Sequence, residues 1–316
     1  MNMHDTAFLR FSNTVRFWDK LGPAALIVGI CFAGLSALDV RLALVFLLWA
    51  HGWGLNVVIS RSDTHAAKIA VPFVFGVTIL ALWEAVVRAF EVPGVILPPP
   101  SIIAATFAVE TDVLWADFVQ TFLKGALTGY VMGTAAAFAV ALLADRYDFL
   151  KRGLLPVGNF MAALPIVGTA PILVMWFGFD WESKSAVVVV MVFFPILVNT
   201  VAGLADTQAM QRDLMRTYGA SYVQTLFKLR LPAAMPFIFN GLKISTTLAL
   251  IGAIVAEFFG SPTLGMGFRI STSVGQLALD MVWAEIVAAA LAGSAFYGII
   301  AFIEKRVTFW HPSHRG

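Results

Sequence analysis

The chain has 316 residues, of which 59% are hydrophobic and only 13% are charged. Charged residues make up roughly 25% of a typical soluble domain, so the composition excludes that class and predicts an all-α polytopic membrane protein. The net charge of +2 is too small to indicate a nucleic-acid partner. A single cysteine, Cys31, excludes an internal disulfide and a thiolate metal cluster. Its apolar surroundings predict a small, buried side chain.

Eight apolar runs are long enough to cross a bilayer, which takes roughly 17–25 residues of helix. The first two are separated only by Asp39 and Arg41, which indicates a tight hairpin. The N-terminus could instead be a cleaved signal peptide, since Lys20 precedes an apolar run and Gly34-Leu35-Ser36 is a passable cleavage site; we favour an uncleaved anchor. The eight runs lie near 22–38, 40–59, 70–90, 117–143, 154–177, 184–204, 237–259 and 282–303.

Lysine and arginine are unevenly divided between the two sets of loops. Fifteen fall on one set and five on the other, and Lys243 lies just inside the seventh run. Because these residues accumulate in cytoplasmic loops, both termini and the polar segment (residues 206–236) are predicted to be cytoplasmic. The larger set is Arg10, Arg16, Lys20, Arg61, Lys68, Arg146, Lys151, Arg152, Arg212, Arg216, Lys228, Arg230, Lys305, Arg306 and Arg315.

Small residues recur every four positions along the fourth run. Gly125, Gly129, Gly133, Ala137 and Ala141 therefore form a groove in which another helix backbone can approach closely. The pattern leaves open whether that helix belongs to the same chain or to a second copy.

Two prolines, Pro165 and Pro171, lie in the fifth run, where each frees a carbonyl and favours a kink. Kinks are tolerated where a cavity or a neighbouring helix satisfies the backbone. These prolines and Trp176 are therefore candidates for lining a translocation path, although proline kinks can also serve packing alone.

Ionisable residues within the runs are candidates for function, because burying a bare charge is costly. Glu84 and Arg88 are four residues apart and are predicted to pair with each other. Glu257 ends the seventh run, where it either shapes an outer gate or is a solvated end-of-helix acid. His51 is predicted to be a hydrogen-bonded packing residue. An interfacial belt is predicted for Asp280, Trp283 and Glu285.

The polar segment has the pattern of two short helices joined at a glycine. Met210–Tyr218 is predicted to form the first, ended by Gly219, the residue type that tolerates a left-handed C-cap. The second is predicted to start near Ser221, and Pro232 and Pro236 are expected to interrupt it before the next run.

The spacing in the polar segment resembles the cytoplasmic loop signature of binding-protein-dependent ABC importer permeases. That signature reads Glu-Ala-Ala, three residues, Gly, nine residues, a branched apolar residue, one residue, Leu-Pro. The chain departs from it in the opening triplet, which is Asp-Leu-Met. The corresponding residues, which the resemblance assigns to contact with an ATPase subunit, are Asp213, Leu214, Met215, Tyr218, Gly219, Ala220, Ser221, Leu229, Leu231 and Pro232.

Three further stretches agree with this family. The proline-rich Leu97–Ser101 resembles its periplasmic start, Ala163–Gly178 resembles the proline-containing span of its nitrate, sulfonate and taurine branch, and the tail Phe309–Pro312 is similar to members of that branch. The tail also resembles permeases for pyrimidine vitamin precursors. The resemblance covers 70–311 and implies a type I ABC importer permease fold with six core transmembrane helices. The resemblance does not account for residues 1–69, which are expected to form an N-terminal extension with a transmembrane hairpin, and 312–316 are expected to be a short tail.

Several catalytic patterns are absent. No Gly-Lys dipeptide occurs, which excludes a Walker A phosphate loop. Zinc-protease and Gly-x-Ser-x-Gly motifs are also missing. We therefore predict no catalytic residue, no metal site and no cofactor bound by this chain, with ATP and Mg²⁺ held by a partner subunit.

The resemblance implies a multi-pass protein of the bacterial inner membrane that works with ABC ATPase subunits, a periplasmic binding protein and a second permease copy. The expected cargo is a pyrimidine vitamin precursor or riboflavin, with nitrate, taurine or an alkylsulfonate next. An ion-coupled secondary transporter and a membrane scaffold without transport are the alternatives. A secondary transporter usually needs ionisable residues or broken helices at mid-membrane.

Overall fold

The computed structural model describes residues 25, 27–36, 39–162, 165–261 and 263–310. Within these ranges the regular structure is entirely helical, which confirms the all-α prediction. The helices are α1 (Ile27–Ser36), α2 (Val40–Ser60), α3 (His65–Ala89), α4 (Pro100–Val109), α5 (Thr111–Arg146), α6 (Asp148–Ala162), α7 (Ile166–Phe177), α8 (Trp181–Ala205), α9 (Ala209–Thr217), α10 (Tyr222–Phe259), α11 (Met266–Gly275) and α12 (Leu279–Val307).

Six of the described helices are long and apolar enough to cross a membrane: α2, α3, α5, α8, α10 and α12. They correspond to six of the eight predicted runs. Most of the first run is described as α1, which contains the predicted cleavage site Gly34-Leu35-Ser36, whereas the charges near the N-terminus lie outside the described residues. The tail 312–316 also lies outside them.

The fifth run was wrongly predicted as one kinked helix. Instead α6 ends at Ala162 and α7 begins at Ile166, with Pro165 in the extended conformation at the N-cap. Proline lacks an N–H and disfavours helical conformation in the residue before it. A new helix can therefore begin after Pro165 more easily than the old one can continue through it. Pro171 lies inside α7, which continues past it.

The chain divides into two compact units between Ala105 and Thr106. In the first unit, α2 begins where Asp39 accepts a hydrogen bond from the Arg41 N–H, at 2.7 Å. It packs closely on α3 at Gly52, where an added Cβ would lie 2.2 Å from Thr78 Cγ2. The helices α2 and α3 therefore pack against each other as a pair. The hairpin predicted between the first two runs would turn at residues 37–38, outside the described residues, and stays a prediction.

The predicted pair in the first unit is confirmed, because Arg88 Nε lies 2.5 Å from Glu84 Oε1. Ser101 joins it by donating its hydroxyl and its backbone N–H to Glu84. Two other predictions for this unit are wrong. Cys31 and His51 are exposed on the protein surface, because each lies on a helix face that packs on no other described helix.

In the second unit the core forms where α8 packs against both α5 and α10. Its buried residues include Ala137 and Ala141 of the small-residue pattern and Val188 and Val192 of α8. The glycines explain how close the helices come. A Cβ on Gly129 would lie 2.6 Å from Val188 Cβ, and one on Gly133 would lie 2.4 Å from Val192 Cγ2.

The remaining glycine of the pattern, Gly125, faces Lys184 Cβ at 3.2 Å from an added Cβ. The groove is thus filled by α8 of the same chain. A charge pair that sequence reasoning did not identify joins α10 to α12: Lys243 Nζ lies 2.7 Å from Glu304 Oε2, and both side chains are largely buried. Pairing of this kind lets a lysine lie inside an apolar helix.

Candidate functional site

The polar segment begins with α9, whose side chains are all at least partly exposed. Gln208 and Gln211 form a capping box at its start, which satisfies backbone N–H groups that have no partner within the helix. Met210, Leu214 and Tyr218 follow at four-residue spacing and therefore share a face. They are 80%, 56% and 80% exposed. This segment presents an apolar stripe that no other described part of the chain covers.

The joint after α9 has the conformation that the sequence predicts. Gly219 has a φ of +67°, in the left-handed region. Its N–H donates to the Arg216 carbonyl at 2.9 Å, and the Ala220 N–H donates to the Met215 carbonyl at 3.0 Å. This pair of bonds is the Schellman motif, which closes a helix through a glycine. These hydrogen bonds thus fix the direction in which the chain leaves α9 towards α10.

The next helix starts as predicted, because Ser221 caps α10 and forms a capping box with Gln224. The predicted interruption at Pro232 and Pro236 is wrong, since α10 runs unbroken from the polar segment to Phe259. A π-helical stretch at Leu226–Arg230 precedes Pro232, which occupies the first turn of the α-helical part. A missing N–H costs little there. The part of the polar segment from Tyr222 onward and the membrane helix therefore form one continuous helix.

Most of the remaining signature residues are half-buried. Asp213 is exposed and lies 3.6 Å from the Arg216 guanidinium, a contact of little energetic weight at that exposure. Met215 is half-buried, and so are Leu231 and Pro232 at the first turn of the α-helical part of α10. The signature residues thus fall into two places: those from Asp213 to Ser221 lie on α9 and the turn after it, and Leu231 and Pro232 lie in the first turn of the α-helical part of α10.

Behind this surface lies a buried charge cluster that the sequence reading missed. Arg230 forms a two-point ion pair with Asp145 at the end of α5, with NH1 2.7 Å and NH2 2.5 Å from the two carboxylate oxygens. Arg230 also donates to the Leu204 carbonyl at the end of α8. Tyr222 donates its hydroxyl to Asp145 at 2.7 Å, and Arg146 lies over the Tyr222 ring. One arginine therefore fastens the base of α10 to α5 and α8.

The sequence contained a partial signal for this cluster. Asp145 and Arg146 end one apolar run, and Arg230 precedes another. The two arginines were read as loop charges, and Asp145 was not singled out. A buried guanidinium and carboxylate pair favourably only with good geometry and further hydrogen bonds, and 85 residues separate the two in the sequence. No pattern of neighbouring residues in the sequence predicts the contact between Arg230 and Asp145.

The three residues predicted to line a path are not brought together around one cavity of the described chain. Trp176 is 73% exposed, and Pro165 is exposed as well. A cavity of about 160 Å³ does lie beside them, between α6, α7, α8 and α10. Its lining residues are Met161, Ile166, Thr169, Val190, Met191, Phe194, Pro195 and Leu248. A path along α7 stays a prediction.

At the opposite end of the second unit, the loop before α11 is held by three side chains. The consecutive N–H groups of Gly265, Met266 and Gly267 donate to Asp117, Thr121 and Glu257, respectively, at 2.6–2.7 Å. Glu257 is only 2% exposed, so the reading as a solvated acid is wrong.

Two further predictions for this end of the second unit are wrong, because the side chains concerned are buried. Glu285 is fully buried and does not belong to an interfacial belt. Lys184, counted as a loop charge, is buried and donates to the carbonyls of Phe179 and Gly260. Outside the spanning helices, Asp180 accepts a hydrogen bond from Gln120, which holds the pKa of this carboxyl below its usual value.

The amino-acid sequence is similar to known membrane transport components. Residues 113–309 match the family model described as binding-protein-dependent transport system inner membrane component. The chain is 29% identical over 74% of its length to the riboflavin transport system permease protein of Chloroflexus aurantiacus, covering 88% of that protein. It is 29% identical over 76% of its length to the formylaminopyrimidine transport permease protein of Halalkalibacterium halodurans, covering 95%. A putative aliphatic sulfonates transport permease protein of Bacillus subtilis is 27% identical over 75% of this chain, covering 86% of that protein.

Proposed function

The chain belongs to the family of inner membrane components of binding-protein-dependent transport systems, and from that premise we propose that its polar segment receives force from an ATPase subunit. The chain is a permease subunit of an ABC importer for small solutes, embedded in the inner membrane as a multi-pass protein. An ion-coupled secondary transporter finds no support in its relatives.

The observation that carries the proposal is the rigid connection from α9 to the membrane helices. The exposed stripe of Met210, Leu214 and Tyr218 offers an apolar surface to a soluble partner. Gly219 fixes the angle of the joint, and Arg230 fastens the base of α10 to its neighbours. The short turn at Gly219 and Ala220 connects α9 to α10, and Arg230 joins α10 to α5 and α8. A displacement of α9 by a closing ATPase is passed along this route to the membrane helices.

The division of labour follows from the family and from the missing phosphate loop. This chain is the non-catalytic translocation subunit, and a separate subunit binds and hydrolyses ATP with Mg²⁺. We propose that two copies of the chain enclose the path, that both termini and the polar segment face the cytoplasm, and that a periplasmic binding protein delivers the solute at the other side.

For the cargo we propose a pyrimidine vitamin precursor or riboflavin. Support comes from the tail sequence and from two relatives that are named for riboflavin and formylaminopyrimidine. Nitrate, taurine or an alkylsulfonate is the next candidate. The test is ATP hydrolysis by the reconstituted complex with each candidate binding protein and ligand. Stimulation by a riboflavin or pyrimidine binding protein supports the proposal, and stimulation only by a sulfonate, taurine or nitrate binding protein overturns it.

The role of the polar segment is tested by co-purification with the ATPase subunit. Leu214→Asp places a charge in the centre of the exposed stripe and is expected to weaken retention of the ATPase more than tenfold, the effect of about 1.4 kcal/mol. Val274→Asp is the matched control, since Val274 is an exposed apolar residue on α11. Equal retention by both variants would remove the segment from the ATPase interface.

A further inference from the structure

Five charged side chains meet at the outer end of the second unit, on five different helices. Asp117, Glu257 and Glu285 are at most 2% exposed. Lys184 is equally buried, and Arg269 is largely so. Desolvation of so many charges is expensive unless they balance and find hydrogen bonds.

Two of the three carboxyl groups have donors of their own. Asp117 accepts from the Gly265 N–H at 2.6 Å and from Arg269 Nε at 2.8 Å. Glu257 accepts from the Thr121 hydroxyl at 2.8 Å and from the Gly267 N–H at 2.7 Å. Both groups thus have hydrogen-bond donors of the kind that an ionised carboxylate accepts.

Glu285 differs from them, because neither of its carboxyl oxygens has a hydrogen-bond donor among the described residues. The charged groups that act on it are Asp117 of α5, Arg269 of α11 and Glu257 of α10, and the Asp117 carboxyl is within hydrogen-bonding reach. Two ionised carboxylates are both acceptors and repel each other. A proton on one of them turns the same contact into a strong O–H···O⁻ hydrogen bond.

The charge count supports the same conclusion. Three carboxylates against one guanidinium and one ammonium leave a net charge of −1 among side chains that are largely buried. Arg269 balances Asp117 directly, and Lys184 is the cation whose field acts on Glu257. The remaining carboxyl, Glu285, has no cation of its own, and one bound proton makes the group of five electrically neutral.

A bound metal ion is the other way to neutralise an acidic cluster. Within the described residues no group of three or more histidine, cysteine, aspartate or glutamate side chains is arranged to hold one. The proton is therefore the ligand that the geometry favours.

We propose that the cluster is a proton-binding site in which Glu285 carries a proton and donates it to Asp117. The hydrogen bond joins the outer end of α12 to α5, directly beside the N–H groups of the loop before α11. The site thus holds that loop in place through Asp117, which accepts hydrogen bonds from the Glu285 carboxyl proton, the Gly265 N–H and Arg269 at once. This inference does not depend on the proposed function.

Infrared spectroscopy of the full chain tests the site directly. In a detergent without carbonyl groups, the protein at neutral pH is expected to show the carbonyl stretch of an un-ionised carboxyl group. Glu285→Gln is expected to lose that band, because its amide donates to Asp117 without titrating. Glu182→Gln, which removes an exposed acid at the start of α8, is expected to keep it.

Asp117→Asn probes the same proton from the other side and keeps the test decisive if Glu285→Gln does not fold. Its amide supplies a donor that lets Glu285 ionise, so the band should again be lost. The proposal is overturned if wild-type protein lacks the band, or if the band persists in either cluster variant. It is also overturned if sodium ions, compared with choline, raise the melting temperature of wild type but not of Glu285→Gln, since a cation would then be the occupant.

Discussion

Arg230 and Asp145 bind each other through both terminal guanidinium nitrogens and both carboxylate oxygens, across the base of three helices. Their side chains are only 17% and 7% exposed. Asp145 also accepts the Tyr222 hydroxyl, and Arg230 also donates to the Leu204 carbonyl. The pair links the surface offered to a partner with the helices that cross the membrane.

Removing one member of this pair should be costly. Asp145→Asn leaves the Arg230 charge without its counter-ion, and the free energy of unfolding is expected to fall by about 3–5 kcal/mol. ATP hydrolysis per molecule imported should rise, because α10 is no longer fastened to α5. Denaturation in detergent and the ATP-to-solute ratio in proteoliposomes measure the two effects. Asp213→Asn is the control: its pair with Arg216 is exposed, and its loss should cost at most about 1 kcal/mol. An equal loss of unfolding free energy in the two variants would contradict the claim that the Arg230–Asp145 pair fastens α10 to α5.

The joint at Gly219 should tolerate some residues and reject others. Gly219→Val forces a β-branched side chain into left-handed conformation, at a cost of roughly 1–2 kcal/mol or more, and ATP-driven uptake should drop. Gly219→Asn should retain most uptake, because asparagine adopts this conformation more readily. Nothing lies within 4 Å of an added Cβ, so the two variants differ in backbone strain and not in crowding. Identical uptake by both variants would argue against a fixed joint.

The close contact between α5 and α8 predicts a third effect. Gly129→Val would place a side chain against Val188 and the Ser185 carbonyl, and the overpacking should destabilise the protein by about 1–3 kcal/mol. Gly298→Val on α12 is the control, since an added Cβ there meets nothing within 4 Å. Thermal unfolding of the two variants measures the difference. A melting temperature for Gly129→Val as high as that of the control would show that α8 can move away.

The loop before α11 should loosen when Thr121 loses its hydroxyl. Thr121→Val keeps the shape but removes the bonds to Glu257 and from the Met266 N–H. An unsatisfied buried group costs about 1–3 kcal/mol, so amide hydrogen exchange at Met266 and Gly267 should accelerate. Thr272→Val removes only bonds to carbonyls of its own helix and should leave exchange at the loop unchanged. Unchanged exchange in Thr121→Val would mean that the loop is held elsewhere.

Sequence reasoning succeeded where the physics is local. Gly219 and Ser221 end and begin helices through bonds to residues at most five positions away, so the spacing alone indicates their roles. The apolar runs were found for a similar reason, because length and composition determine which helices can cross a bilayer.

The failures arose where a residue's partner is distant in the chain. Arg230 and Glu257 were read as loop or end-of-helix charges, yet their partners lie 85 and 136 residues away. Burial of Glu285 depends on how α5, α10, α11 and α12 meet, which no periodicity reports. At Pro165 and Pro232 the sequence shows that an N–H is missing, but neighbouring turns decide whether a helix ends or continues.

Site-directed cross-linking at Tyr218 tests the central claim most directly. In a Cys31→Ser background, Tyr218→Cys provides a single thiol at the end of the exposed stripe, and Val274→Cys provides one on α11. In membranes that contain the assembled transporter, a short bifunctional reagent is predicted to link Tyr218→Cys to the ATP-hydrolysing subunit, with a yield that changes on ATP binding, and to leave Val274→Cys unlinked to it. If Tyr218→Cys never reaches that subunit, or is labelled by an impermeant reagent from the periplasmic side, the polar segment does not receive force from an ATPase.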